Sequence, residues 1–432
     1  MRVLVTGAYG LIGSAILARL HREGHQVVGT GREIETARRR FPDARWIAAD
    51  FAALTTPDAW RPLLDGIDAV VNCAGALQTG ARDDLRRVHA EAPFALFEAC
   101  AESGPRRVIQ VSAVGADKRG ATEFAATKGE ADAALASSDL DWIILRPGLV
   151  IAPGVYGATA MLRGLAGIPW RTPLTNGGSR VQVVAIEDVV ATVIWALGPG
   201  LKTRGIFELV HPQVMNIRDL VIAQRRWLGF PRQPVFELPP RLASFVSRAA
   251  DWLGHLGWRS PARSTASAQL SVGVTGNPAT WLTATGIRPM SLPEIFAAHP
   301  ATIQDRWFAR LYFVKPLALG VLAIYWMLTG LIALGPGWSE GVALMTTPVL
   351  PSFVTELTIV LGAALDIALG LMLLVRPLTR DVLIIMLAVC IPYLIAATVI
   401  DPGLWLDPLG RLMKTVPVMI ATLFTLAVLD ER

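Results

Sequence analysis

Four apolar segments close the chain, about 312–334, 353–375, 382–400 and 412–429. No charged residue lies between Pro316 and Ser339, and none between Val382 and Ile400. At about 1.5 Å per residue, each run covers, or nearly covers, a hydrocarbon core of roughly 30 Å. Segments 310–432 hold only 15 of the 75 Lys, Arg, Asp and Glu residues. Four such segments with polar turns between them predict an all-α transmembrane bundle over 310–432, not buried helices of a water-soluble core.

Basic residues flank these spans unevenly: Arg306 and Arg310 precede the first, Arg376 and Arg380 separate the second from the third, and Arg432 follows the fourth. The loop 335–352 has none. The positive-inside rule therefore predicts a four-span protein of the cytoplasmic membrane with residues 1–309 and both termini in the cytoplasm; Arg411 and Lys414 pull the other way. The first apolar run, Val3 to Val5, breaks at once into a glycine turn, which is not the pattern of a signal peptide. The cysteines are only Cys73, Cys100 and Cys390, too few for a disulfide framework.

Residues 2–13, RVLVTGAYGLIG, place Gly7, Gly10 and Gly13 between a short apolar strand and a helical pattern (Ile16, Leu17, Leu20), and a second strand begins at Gln26. That order sets backbone N–H groups and the positive end of a helix against a pyrophosphate without intervening side chains. Further strands are expected at Trp46–Ala49, Ala69–Cys73, Arg107–Val111 and Trp142–Leu145, with helices at 85–103 and 125–138. Alternating strands and helices predict an α/β fold, a Rossmann-type doubly wound parallel sheet over 1–150. A smaller substrate lobe is expected over 151–309, with a strand at Val181–Ile186 and a helix at Val189–Leu197.

The run TGAYGLIG, with Asp50-Phe51, NCAG (72–75), VSAVGA (111–116), Lys128 and LRPGLV (145–150), resembles the short-chain dehydrogenase/reductase superfamily over roughly residues 1–300. It is most similar to the atypical branch that includes the accessory NADPH-binding subunit of respiratory complex I. The resemblance implies that Gly7, Gly10, Leu11, Ile12 and Gly13 hold the pyrophosphate, Asp50 and Phe51 the adenine, and Ala74 and Gly75 the adenosine ribose side. It also implies that Lys128 holds the nicotinamide ribose and that Pro147 belongs to the cofactor-binding turn. At the end of the second strand, Arg32, with Arg38, Arg39 and Arg40 following, favours NADP(H) through a 2′-phosphate. Glu33 leaves NAD(H) open.

Members of that superfamily that transfer hydride pair a Tyr with a Lys four residues on, and place a Ser upstream. Positions i and i+4 share a helix face, so the ammonium can lower the phenol's pKa and let it exchange a proton with substrate oxygen. Here Ser112 and Lys128 are present, but the Tyr position reads Phe124. Three readings stay open. The domain binds a nucleotide without chemistry; another hydroxyl serves, Tyr156, Thr127 or Ser112; or the acceptor is a quinone, whose reduced anion is phenolate-like and less dependent on a positioned acid.

Leu242, Phe245, Val246, Ala249, Trp252, Leu253 and Leu256 recur at helical spacing with Arg241, Arg248 and Asp251 between them. That helix either packs on the soluble part or lies in the membrane interface, where Trp258, Arg259 and Arg263 would assist. The stretch Leu404 to Pro417 resembles the fourth-span signature of the DoxX-like four-helix membrane family, some relatives of which are linked to quinone-dependent sulfur oxidation. Asp366 falls mid-span, where a carboxylate is costly unless paired, protonated or hydrated; it is either bonded to a neighbouring helix or part of a proton or quinone relay. No metal site is expected from the six scattered His.

A net charge of +6 over 1–309 and −1 over 310–432 suits anionic lipid headgroups better than nucleic acid. The expected function is a membrane-anchored NAD(P)H-dependent oxidoreductase acting on a hydrophobic carbonyl or quinone at the cytoplasmic face. The alternative is a non-catalytic NADPH-binding structural or sensing subunit with membrane-protein partners.

Overall fold

The computed structural model describes residues 1–432 apart from 78, 81–83, 103, 202–203, 347–350, 409 and 430–432. Arg432 and Leu409, used above for orientation and for the fourth-span signature, lie outside the described residues. The chain divides into two compact units: Met1–Asp251 with Arg259–Ala309, and Trp252–Trp258 with Arg310–Arg432.

The first unit is built on β1 (Arg2–Thr6), α1 (Leu11–Arg22), β2 (Gln26–Gly31), α2 (Ile34–Arg40), β3 (Arg45–Ala48), α3 (Pro57–Leu64) and β4 (Ala69–Asn72). It continues through α4 (Ala92–Glu102), β5 (Arg107–Val111), α5 (Glu123–Ala136), β6 (Asp141–Pro147) and a last strand, Gly205–Leu209. Seven parallel strands run in the order Gly205–Leu209, β6, β5, β4, β1, β2, β3. The order of strand addition reverses between β1 and β4, so the switch point where such sheets bind ligands opens beside the glycine turn.

Strand alternation explains the layers. Val3 and Val5 of β1 join Ile16, Leu17, Leu20 and helix Ile186–Ala196 on one face; Leu4 joins Trp60, Leu96, Val70 and Ile144 on the other. A smaller cluster, including Leu162, Val181, Leu220 and Ile295, forms the core of the lobe after β6. The strand expected over 181–186 is two short pieces, Arg180–Val181 and Val183–Ala185. They break at Gln182, whose backbone N–H turns to Val274 O at 2.8 Å.

Among the described residues of the second unit, three helices are long and apolar enough to cross a membrane: Val314–Leu334, Ser352–Leu373 and Arg376–Ile400, of 21, 22 and 25 residues. The first two pack antiparallel and close, because a Cβ on Gly330 would lie 2.4 Å from Ala363 O and one on Gly370 would lie 2.7 Å from Ala323 O. The fourth apolar helix, Thr415–Ala427, is 13 residues, about 20 Å, and shorter than the segment expected at 412–429. It starts only at Thr415, where Pro417 fits the first turn and residues 411–414 form turns.

Helix Pro240–His255 exposes, rather than buries, its apolar stripe: Leu242, Phe245, Val246 and Trp252 are all exposed. Ordinary packing of that stripe on the soluble unit is therefore overturned; the buried positions are Ala250 and Gly254, on a different face.

Candidate active site

The glycine turn is a cradle that side chains would fill. Gly7 has φ +58°, a left-handed backbone that favours glycine, and a Cβ there would stand 2.8 Å from Cys73 O. A Cβ on Gly10 would lie 3.1 Å, and one on Gly13 only 2.3 Å, from Gly7 O. Gly10 caps α1 with extended backbone and no side-chain bond, so the first N–H groups of that helix, from Leu11, Ile12 and Gly13, point at the edge of the sheet. These features fit a dinucleotide pyrophosphate.

A buried polar ladder crosses the carboxyl ends of three adjacent strands. Thr6 Oγ1 donates to Asn72 Oδ1 (2.5 Å), and Asn72 Nδ2 donates to Gln110 Oε1 (2.7 Å). Ala74 N donates towards both Asn72 Oδ1 (3.2 Å) and Thr6 Oγ1 (3.3 Å). The ladder fixes Ala74 and the exposed Gly75 above the switch point, and the strand pairing Thr6 to Asn72 to Gln110 sets it in register.

Lys128 reaches that same loop. It is 5% exposed, donates to Val111 O at 3.0 Å, and lies so near Gly75 that a Cβ there would be 3.3 Å from Nζ. Burial lowers its ammonium below the ordinary value, while Asp132 opposes the fall. Cys73 is a thiol, pushed up to about 12 by burial with Lys128 opposing. His89 closes the far side: its Nε2 accepts from Ala76 N (3.0 Å) and its Nδ1 lies 3.1 Å from Thr127 Oγ1. Thr127 Oγ1 spends its proton on Glu123 O (2.8 Å), which makes Nδ1 the protonated nitrogen. Burial and the Lys128 charge push His89 well below its ordinary range, so it is a neutral brace.

Ser112 donates to Asp132 Oδ2 at 2.8 Å, and Arg146 Nε meets the same oxygen at 2.9 Å. Burial raises the Asp132 carboxyl, with Arg146 and Ser112 opposing the rise. Asp132 and His89 were not expected from the sequence. Asp132 lies one turn beyond Lys128 on α5, a spacing that marks it as a neighbour on the same helix face. Phe124 opens α5 and packs edge-on to the His89 ring, centroids 5.5 Å apart.

The remaining expected residues lie around this centre. Arg32 follows β2, and its N–H donates to Tyr9 OH at 3.2 Å, which ties the second strand to the glycine turn. Asp50 accepts from Ala52 N at 3.2 Å, and the half-buried Phe51 meets Trp60 edge-on at 5.2 Å; both follow β3. Pro147 ends β6, where its carbonyl accepts from Val114 N at 3.2 Å. Tyr156 stands on a separate loop, with its backbone tied to Thr159; Gly154 of that loop runs against Leu11, a Cβ there lying 3.9 Å from Leu11 Cδ1. No cluster of three His, Cys, Asp or Glu residues able to hold a metal occurs among the described residues.

Residues 7–163 match a family described as NAD(P)H-binding, and residues 323–423 match the DoxX-like family. The 3-diazoavenalumate denitrifying reductase of a Streptomyces species is 31% identical over 279 residues, 56% of this chain and 86% of that protein. An uncharacterized Mycobacterium tuberculosis protein is 29% identical over 237 residues, 54% of this chain, and the chain spans about a quarter (24%) of that protein's length. In fold, the chain is similar to the Bordetella bronchiseptica enzyme WbmG, solved with NAD, with a TM-score of 0.54 at 15% identity over 72% of this chain and 96% of that one.

Proposed function

We propose, from the premise that this chain belongs to the NAD(P)H-binding short-chain dehydrogenase/reductase-like proteins and carries a C-terminal DoxX-like domain, that it is a membrane-anchored oxidoreductase reducing a hydrophobic carbonyl or quinone at the cytoplasmic membrane face. The observation that carries the reading is Lys128: a buried ammonium beside Gly75, on the same sheet edge as the Gly7, Gly10 and Gly13 cradle, in a chain with three membrane-length helices. An orientation with residues 1–309 and both termini inside, and a fourth crossing by the short helix Thr415–Ala427, complete the reading.

Bound NAD(P)H supplies a hydride. The protein's part is to hold and orient it. The α1 N–H groups neutralise the pyrophosphate, and Ala74 and Gly75 line the adenosine ribose side. Asp50 and Phe51 border the adenine, and Pro147 borders the turn beyond β6. Arg32 supports NADP(H) over NAD(H) through charge at the 2′ position. Lys128, with one N–H on Val111 O, has others for a ribose hydroxyl. Ser112 gives its proton to Asp132 and so acts as an acceptor or a positioning group.

Phe124 supplies no proton. A quinone tolerates that loss, because its reduced anion is a weak base; for a carbonyl the candidate hydroxyl is Tyr156, since Ser112 and Thr127 already donate to Asp132 and Glu123 O. The same Phe124 favours a second reading, an NADPH-binding structural or sensing subunit with membrane-protein partners. Purified full-length protein in detergent, titrated with NADPH and then given ubiquinone and menaquinone analogues or long-chain ketones, separates the two. Substrate-dependent NADPH oxidation supports the enzyme; tight NADPH binding with no oxidation by any acceptor sinks it.

A further inference from the structure

Helix Pro240–His255 presents large apolar side chains to the outside: Trp252 is 59% exposed and Phe245 69%.

That helix has three faces. At 100° per residue, Leu242, Phe245, Val246, Ala249 and Trp252 fall in an exposed apolar arc of about 120°. Arg241 and Arg248 lie along one border of it, and Ala250 and Gly254 are buried on the other side. An apolar arc with arginines at its rim suits the boundary between lipid headgroups and acyl chains. The helix's own carboxylate already holds a cation, Asp251 with Arg263 (3.2 Å). Arg241 and Arg248 thus leave the helix electropositive towards an anionic surface.

The helix also ends on the membrane unit itself. Trp258 Nε1 donates to Leu374 O at 2.6 Å, Arg376 N donates to Leu256 O at 3.0 Å, and the Arg376 guanidinium lies 5.6 Å from the Trp258 ring centroid. Leu374 follows the last residue of the membrane-length helix Ser352–Leu373. The clamp therefore holds the end of Pro240–His255 at the level where that helix leaves the hydrocarbon, which is where Trp side chains concentrate.

We infer that Pro240–His255 is an interfacial anchor that lies in the headgroup layer of the bilayer and binds anionic lipid. The inference is independent of the reaction, since none of these residues lies at the glycine cradle or Lys128.

The test uses full-length protein in nanodiscs of phosphatidylcholine with phosphatidylglycerol, one copy per disc. Nitroxide labels are placed singly at Leu242→Cys, Phe245→Cys, Trp252→Cys and Ser244→Cys, and the unsubstituted protein gives the background of its native cysteines. Labels at 242, 245 and 252 should be reached several-fold more by oxygen, which partitions into lipid, than by a soluble nickel chelate; 244 should show the reverse. Replacing Arg241 and Arg248 with Glu should raise nickel access at 245 while leaving NADPH affinity unchanged. Equal nickel access at 244, 245 and 252 would overturn the anchor, as would protection that appears only in discs holding two copies, which would mean that the arc pairs with a second protein.

Discussion

The Ser112 hydroxyl is bonded 2.8 Å from Asp132 Oδ2, the oxygen that also receives Arg146 Nε at 2.9 Å. One buried carboxylate therefore fixes the end of β5 to the middle of α5 and to β6, the three elements that carry Ser112, Lys128 and Pro147. Asp132→Ala should strand a largely buried Arg146 and cost about 3 kcal/mol. Thermal unfolding of the detergent-purified protein checks this; a melting temperature unchanged within a degree or so would show that the ion pair is dispensable.

Lys128 is expected to trade stability for binding. Its folded pKa lies below the ordinary 10.5, so the folded state disfavours the ammonium. The stability it contributes is therefore full above the unfolded value and lost as pH falls through the folded one. In the proposed role cofactor binding uses the ammonium and should run oppositely: it should hold below the folded value and fail above it, before pH 10.5 is reached. Lys128→Met should weaken NADPH binding about tenfold or more, some 1.4 kcal/mol, with no loss of stability in the cofactor-free protein. Fluorescence titration and thermal melts across neutral to alkaline pH read both; parallel losses in the two would refute the trade.

Phe124→Tyr puts a phenol one helical turn before Lys128, at a half-buried position beside the His89 ring. New NADPH oxidation with simple long-chain ketones is the expected result, with quinone turnover, if any, changed less. If NADPH still binds and ketones remain inert, the acid is not the only part that the site lacks.

The path from residues to this site was uneven in its legibility. Strand, glycine turn and helix were readable at 2–22 because each depends on local chemistry: an apolar run, positions without room for a Cβ, and a 3.6-residue repeat. The Thr6, Asn72 and Gln110 ladder was not, since it joins residues 38 to 66 positions apart through parallel pairing. Asp132 carried a faint signal, its i+4 spacing from Lys128, whereas His89 carried none. In the second unit, composition located three membrane-length helices, but the late start of helix Thr415–Ala427 depends on turns at 411–414 that hydropathy does not register.

Asp366 joins two helices of the membrane unit through both its oxygens: Thr329 Oγ1 lies 3.2 Å from Oδ2, and Tyr393 OH lies 3.2 Å from Oδ1. An asparagine keeps one acceptor. Asp366→Asn should leave NADPH affinity within about twofold, cost about 1 kcal/mol of stability and lower quinone-dependent turnover in nanodiscs. Unchanged turnover with reduced stability would leave the carboxylate a purely structural link between helices.

Gly31 and Tyr9 give the sharpest test of how the adenosine end is shaped. Tyr9 lies inside the glycine turn, and its ring crosses to β2, where its hydroxyl accepts from Arg32 N. A Cβ on Gly31 would fall 2.0 Å from Tyr9 Cε1, so Gly31→Ala must displace the ring and, with it, the bond that positions Arg32. Overpacking of this kind costs typically about 1–3 kcal/mol. Tyr9→Ala alone removes the ring but leaves Arg32 N without that acceptor, so it too should weaken NADPH binding. Because the Gly31→Ala penalty is a clash with a side chain that the second change deletes, the double variant should be more stable than Gly31→Ala alone, with a coupling of at least about 1 kcal/mol. Arg32→Ala in the natural background should raise the Kd for NADPH while leaving that for NADH nearly unchanged. Additive effects of Gly31→Ala and Tyr9→Ala would show that the Gly31 penalty does not come from the Tyr9 ring, and equal losses for both nucleotides on removing Arg32 would show that Arg32 does not recognise the 2′ position.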